Sequence, residues 1–287
     1  MSAAAAPARP PAPPLSPGRL ALHVCIGVLA LLYLLPTLGV LLSSVKSTAE
    51  ISAGELWTLP SALWLGNFGE ILGNPQIYTY LWNTLCVAVP ASAGSIALGV
   101  LAGYVFAKLR FPGSNALFIA VVAGMFFPPQ IVLIPLFRLF NALGLIDSLW
   151  PLIIVHTAMG IPICTLLMRN FFATVPDSLR EAAVIDGASE PQVLARVMLP
   201  VSLPALAVLG TLQFTWIWND YLWPLIFTQT DGNRTIMVGL VALRGQYSVA
   251  WGVQGALSLI ASLPTLAIFL FFQRYFIRGM TMGALKG

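Results

Sequence analysis

RNFFATVPDSLREAAVIDGASEPQVLARVMLP, residues 169–200, carries its own helix punctuation. Pro176 precedes Asp177 and Ser178. Ser178 and Glu181 have the S-x-x-E spacing of a capping box, in which each side chain satisfies an orphan backbone donor. The spacing predicts a short helix running to Asp186. Gly187 then supplies a C-terminal stop or a position with positive φ. A second helix is expected from Ser189, with Pro191 in its first turn, where the missing donor costs little. It should end before Pro200. The first helix offers Leu179, Ala182, Ala183 and Ile185 as apolar residues, with Arg180, Asp186 and Glu190 close by. A small, Ala-rich knob with a close-approach glycine suits a groove on another protein. A loop lying on a membrane surface is the alternative.

The chain around this knob is apolar. Of 287 residues, 58% are hydrophobic and 8% charged, whereas soluble domains carry about 25% charged residues. The mean hydropathy is +0.88. So few charges cannot cover a water-facing surface, so one membrane bundle is expected. A spanning helix needs about 20 apolar residues, and six runs supply them: 20–45, 80–107, 116–137, 149–168, 201–227 and 253–276. The fold expected is therefore all-α and integral to the membrane, with about six transmembrane helices over residues 20–276. The 20–45 run exceeds the roughly 7–15 residues of a signal-peptide core and is taken as a retained span. Residues 1–19, mostly Ala and Pro, cannot bury a core and are expected to form a disordered arm. Residues 277–287 form a tail. Pro36, Pro90, Pro128, Pro129, Pro135, Pro162, Pro204, Pro224 and Pro264 interrupt the spans. Each removes a donor and tends to kink its helix, which shapes either a moving pathway or simply the packing.

Charge sets the orientation. With the N-terminus inside, Arg9, Arg19, Lys108, Arg110, Arg169, Arg180, Arg196, Arg274, Arg278 and Lys286 fall on inner segments. Lys46, Arg138, Arg234 and Arg244 fall on outer ones. The positive-inside rule then places both termini in the cytoplasm. The long outer segments, 46–79 and 228–252, hold Trp57, Trp64, Tyr78, Tyr247 and Trp251, as membrane-interface anchors or ligand contacts. The net charge of +4 reads as topology and gives no reason to expect a nucleic-acid partner. Lipid is the partner that composition implies.

Within the spans, Asp220 is the exceptional acid, and an intramembrane carboxylate marks a functional site by default. Trp216, Asn219, Tyr221 and the pair Trp218 and Trp223 surround it. Aromatic faces stack on sugar CH groups while polar groups take hydroxyls. A sugar path lined by Trp218, Asn219, Asp220 and Trp223, with Gln213 and Thr215 as weaker members, is one reading. An ion pair to an arginine at a subunit interface, or a headgroup-level belt, is the other. Met125 and the Phe126–Gln130 kink read as packing or as a cavity wall. Cys25, Cys86 and Cys164 lack metal or redox spacing and read as packing residues. His23 and His156 are too scattered for a metal site and read as structural or pore-lining.

Several segments together resemble the permeases of ABC importers. Glu181-Ala182-Ala183, then Gly187, then Val197-x-Leu199-Pro200 resembles their EAA loop, with Val197 in place of the usual Ile. Trp218-Asn219-Asp220-Tyr221-Leu222-Trp223, the Leu143–Ser148 stretch L-G-L-I-D-S, and the ending Gln273-Arg274-Tyr275…Gly279-Met280-Thr281…Gly283-Ala284-Leu285-Lys286-Gly287 are similar to the carbohydrate-importer, maltose-type branch. The resemblance implies a type I importer permease in a bacterial cell membrane. It implies a heterodimer with a second permease subunit, two ATPase subunits below, and an extracytoplasmic sugar-binding protein. Glu181, Ala182, Ala183, Asp186 and Gly187 become the ATPase-coupling residues. ATP and Mg would be bound by the partner ATPases, since this chain has no G-x4-G-K-[ST] phosphate loop and is not itself the enzyme. A permease for a non-sugar solute and an ion-coupled secondary transporter are the alternatives. The latter calls for internal repeats and several buried ionisable groups.

Overall fold

The structure, a computed structural model, describes residues 16–242 and 250–284, with side chains to residue 275. Arg244 and Tyr247, most of the Ala/Pro arm, and the last three residues lie outside that range. Every regular element described is helical. Helix α1 (Pro17–Ser44) starts where Ser16 Oγ accepts from the Arg19 N–H, with Pro17 in the first turn. The arm expected through residue 19 is thus already helical from Pro17, because Ser-Pro is an N-cap followed by N1. Two short helices, α2 (Thr48–Ser52) and α3 (Gly66–Leu72), follow. Lys46, on the first segment read as outer, is fully buried. Its ammonium donates to the Thr58 carbonyl at 2.7 Å, to Thr58 Oγ1 at 3.0 Å and to the Glu55 carbonyl, which folds the 46–58 segment around it.

Helix α4 (Pro75–Lys108) spans without a break. The third run does not. Helix α5 (Ser114–Ala123) tightens into a 3-10 turn at Gly124–Phe126, and α6 (Pro129–Ala142) leaves at 92°. Pro128 and Pro129 cause this: a residue before proline is forced out of the helical region, and Phe127 sits at φ −77, ψ 116. Helix α7 (Trp150–Thr174) is continuous through Pro162.

The knob follows as α8 (Asp177–Ile185) and α9 (Glu190–Val193). The expected Ser178–Glu181 capping box does not form. The helix begins at Asp177 with Pro176 as its N-cap and no capping side chain, so Ser178 lies already inside the first turn. Asp177 is held there by Lys108, and a carboxylate at the first position suits the positive end of the helix. Beyond α9 the chain does not stop before Pro200. It passes through a π-helical turn (Leu194–Met198) into α10 (Leu199–Val201), then bends by 80° at Ser202 into α11 (Leu203–Trp218). The π turn widens the coil just ahead of Pro200, whose missing N–H would otherwise interrupt the ladder. The expected 201–227 span breaks again at 219–221 before α12 (Leu222–Phe227). Helices α13 (Ile236–Ala242) and α14 (Trp251–Ala284) complete the described chain, and α14 carries into the segment expected to be a tail. Among the described residues, four helices are long and apolar enough to cross a membrane, or six if each bent pair counts as one span.

The centre of the bundle is the seam between α4 and α7. A Cβ on Gly99 would stand 2.2 Å from Cys164 Cβ, and one on Gly103 2.7 Å from Met168 Cβ. Ser95, Gly99 and Gly103 form a small-residue stripe four apart, which lets two membrane helices approach closely. Helix α11 packs on α4 and α14, and α1 packs on α14, where Ser43 and the Val40 carbonyl lie against Gly255.

Candidate functional site

The knob is built so that its helix stands out while its base is clamped. Gly187 has φ +84. Its N–H donates to the Val184 carbonyl and that of Ala188 to the Ala183 carbonyl, both at 3.0 Å. This pair of bonds is the Schellman closure, which needs a left-handed residue that only glycine adopts without strain. Glu181, Ala182, Asp186 and Gly187 are exposed, and Ile185 is 84% exposed. Ala183 turns inward, against the core around Met168, Phe172 and Met198. Among the described residues Glu181 has no hydrogen-bond partner, so its carboxylate faces outward from the knob.

Two polar clamps hold the base. Lys108, the last residue of α4, donates to the Val175 carbonyl and to Asp177 Oδ1, each at 2.6 Å. Arg180 of α8 pairs with Glu190 of α9, and the Tyr104 hydroxyl of α4 donates to the same carboxylate. The Arg180 guanidinium, aided by Tyr104, holds the Glu190 carboxyl below the usual carboxylate range. Tyr104 was not singled out in the sequence, and Lys108 entered only as an inner-side charge, because neither residue's partner lies near it along the chain.

A cavity of about 270 Å³ opens where both interrupted helices meet α7. Met125, Phe127 and Pro129 come from the first break. His156, Met159, Gly160 and Ile163 come from α7. Gln213, Trp216, Ile217, Asp220, Leu222 and Trp223 come from the second. Irregular backbone at membrane depth is tolerated where it lines such a space. Asp220 organises the break: its two carboxylate oxygens accept the N–H groups of Leu222 and Trp223, each at 3.2 Å, which starts α12. His156 Nε2 lies 3.3 Å from Asp220 Oδ2. That nitrogen is buried without a well-aligned hydrogen bond.

Of the five pathway residues expected from sequence, the structure brings Gln213, Asp220 and Trp223 together on the cavity. Trp218 lies elsewhere: it is 1% exposed, donates Nε1–H to the Ala261 carbonyl at 2.8 Å and stacks on Phe214. Asn219 is exposed and donates to the Thr215 carbonyl, off the cavity wall. The wall also takes in His156, read from sequence as structural or pore-lining, Trp216, read as an aromatic flanking Asp220, and Met159, which the sequence did not single out. Positions 213, 216, 217 and 220 recur at helical spacing and share one face, whereas 218 faces the other way. That period was the available signal.

The Leu143–Ser148 loop is a staple. Asp147, at φ 60, accepts from the Gln229 and Thr230 N–H groups and from Thr230 Oγ1. The Thr230 and Gln229 backbone donors hold its carboxyl below the usual range.

Residues 95–282 match the family described as "Binding-protein-dependent transport system inner membrane component". The chain is 34% identical to an osmoprotective compounds uptake permease protein, GgtD, of Synechocystis, over 93% of this chain and 92% of that one. It is also 34% identical to an alpha-glucoside transport system permease protein, AglG, of Rhizobium meliloti, over 80% of this chain and 62% of that one. A crystal structure of a bacterial ABC transporter involved in the import of the acidic polysaccharide alginate has a chain that superposes with a TM-score of 0.78, at 25% identity, covering 92% of this chain and all of that one. The ion-coupled alternative falls with these matches. The chain belongs to the family of binding-protein-dependent transport system inner membrane components, and it is a multi-spanning permease of the ABC-importer type.

Proposed function

We propose that this permease carries a sugar or oligosaccharide into the cytoplasm by alternating access, as one half of a heterodimer with a second permease subunit. The observation that carries the sugar reading is the wall of the α7 cavity. Two indoles, a carboxylate, a glutamine and an imidazole punctuate an otherwise apolar hollow. Orientation of a ligand by a few polar groups in a mostly apolar site is the usual pattern for small-molecule recognition. The alpha-glucoside permease and the alginate importer among the similar proteins support it. In this reading two ATPase subunits bind ATP and Mg, and one receives the exposed Glu181–Gly187 face. An extracytoplasmic binding protein delivers the cargo, and both termini lie in the cytoplasm. The second reading, a non-sugar solute, is compatible with the osmoprotective compounds permease, whose named cargo class takes in both sugars and betaines.

The test is uptake into proteoliposomes holding the complete importer, with labelled glucosides and labelled betaine offered separately. Glucoside uptake that requires both ATP and the binding protein is expected. Betaine uptake without any sugar uptake would overturn the sugar reading in favour of the second.

A further inference from the structure

We infer that this subunit's cavity admits uncharged polyhydroxylated cargo and rejects anionic sugars such as uronates. The inference rests on the sugar reading and narrows it. Among the described residues, no lysine or arginine lines the cavity. Its ionisable wall groups are Asp220 and His156, 3.3 Å apart, with side chains 15% and 10% exposed respectively. The wall sets one carboxyl beside one imidazole, with no lysine or arginine of this chain to balance an incoming anion. An anion entering would leave water for a mostly apolar hollow in which this chain supplies no dedicated countercharge, which is the costly case. Uncharged hydroxyls meet the opposite situation. Asp220 spends one acceptor position per oxygen on the Leu222 and Trp223 N–H groups. A carboxylate has about four such positions, so acceptor capacity remains for O–H donors. Trp216, 70% exposed, offers a ring face to the sugar's CH groups.

The experiment is equilibrium binding of labelled maltotriose, and of the uronate made by oxidising its terminal primary alcohol, to the purified complete importer without its binding protein. In the wild type the uronate is expected to bind at least tenfold more weakly. In Asp220→Asn, which keeps an acceptor for the α12 cap, that ratio should shrink at least fivefold. Equal affinities in the wild type would overturn the inference, as would an unchanged ratio in the variant or no binding of either sugar. Uptake of sugars irrespective of charge leaves the sugar reading standing and removes only this one. Uptake of betaine alone removes both.

Discussion

At Gly187 the backbone conformation and the surface argument coincide. A Cβ there would meet nothing within 4 Å, so local crowding does not forbid a side chain. The left-handed φ does, at about 1–2 kcal/mol for an L-residue. Gly187→Ala should therefore cost local order in the knob without blocking its surface. Gly187→Trp adds bulk to the exposed face as well. The expectation is partial loss of uptake for Ala and complete loss for Trp, with membrane insertion intact in both. Uptake and copurification of an ATPase subunit measure this directly; a Trp variant that assembles and transports normally would remove the docking role. At Gly99 the constraint is the reverse. Its φ is ordinary, and the obstacle is Cys164 Cβ at 2.2 Å. Gly99→Leu has no free volume along the α4–α7 seam and should destabilise by about 1–3 kcal/mol or more, visible as a lowered thermal midpoint in detergent.

Among the elements, the knob's clamp gives a pH-dependent expectation. Glu190 is held below its ordinary value of 4.5 by Arg180. A carboxyl depressed in the folded state stabilises fully above its unfolded value and loses that contribution as pH falls through the folded one. Glu190→Gln should therefore lower the thermal midpoint at pH 7, and the gap from wild type should narrow as pH drops below about 4.5. A gap that stays constant would mean the clamp is not ionic. The elements also divide what was legible in the sequence from what was not. Gly187 was legible because positive φ is a local demand that one residue type meets. The six apolar runs were legible because hydropathy is additive along a window. The bends at Pro128 and Ser202 leave hydropathy unchanged, so two runs that scored as straight spans turn by 92° and 80°. The Ser178 box failed because the helix starts two residues earlier, at Asp177, where a lysine from α4 nearly seventy residues away holds the first carboxylate. His156 stayed ambiguous for the same reason: a lone imidazole in an apolar run acquires meaning only when folding brings Asp220 beside it.

Over the whole molecule, burial is uneven. Only 6% of the apolar window of α1 is buried, against 44% in α7. Exposure orders the three cysteines accordingly: Cys25 exposed, Cys86 intermediate, Cys164 buried. A lipid-partitioning maleimide should label Cys25 first and Cys164 last in the folded protein, read by mass spectrometry of the peptides. Early labelling of Cys164 would contradict the tight α4–α7 seam. That seam has a mechanical reading too. Helix α7 runs unbroken from the cavity to the edge of the knob. From His156 to Thr174 it is a rod of about 27 Å at 1.5 Å per residue, so a tilt of about 10° pivoted at the inner end would swing the imidazole by about 5 Å. With α4 locked along its flank and Lys108 gripping the knob at the pivot, the rod is a lever with its fulcrum at the knob, the end that the proposed function gives to an ATPase. A small rotation imposed there is magnified where Asp220 waits, and Pro162, part-way along, is the place where that stroke would be lost if the rod were made softer.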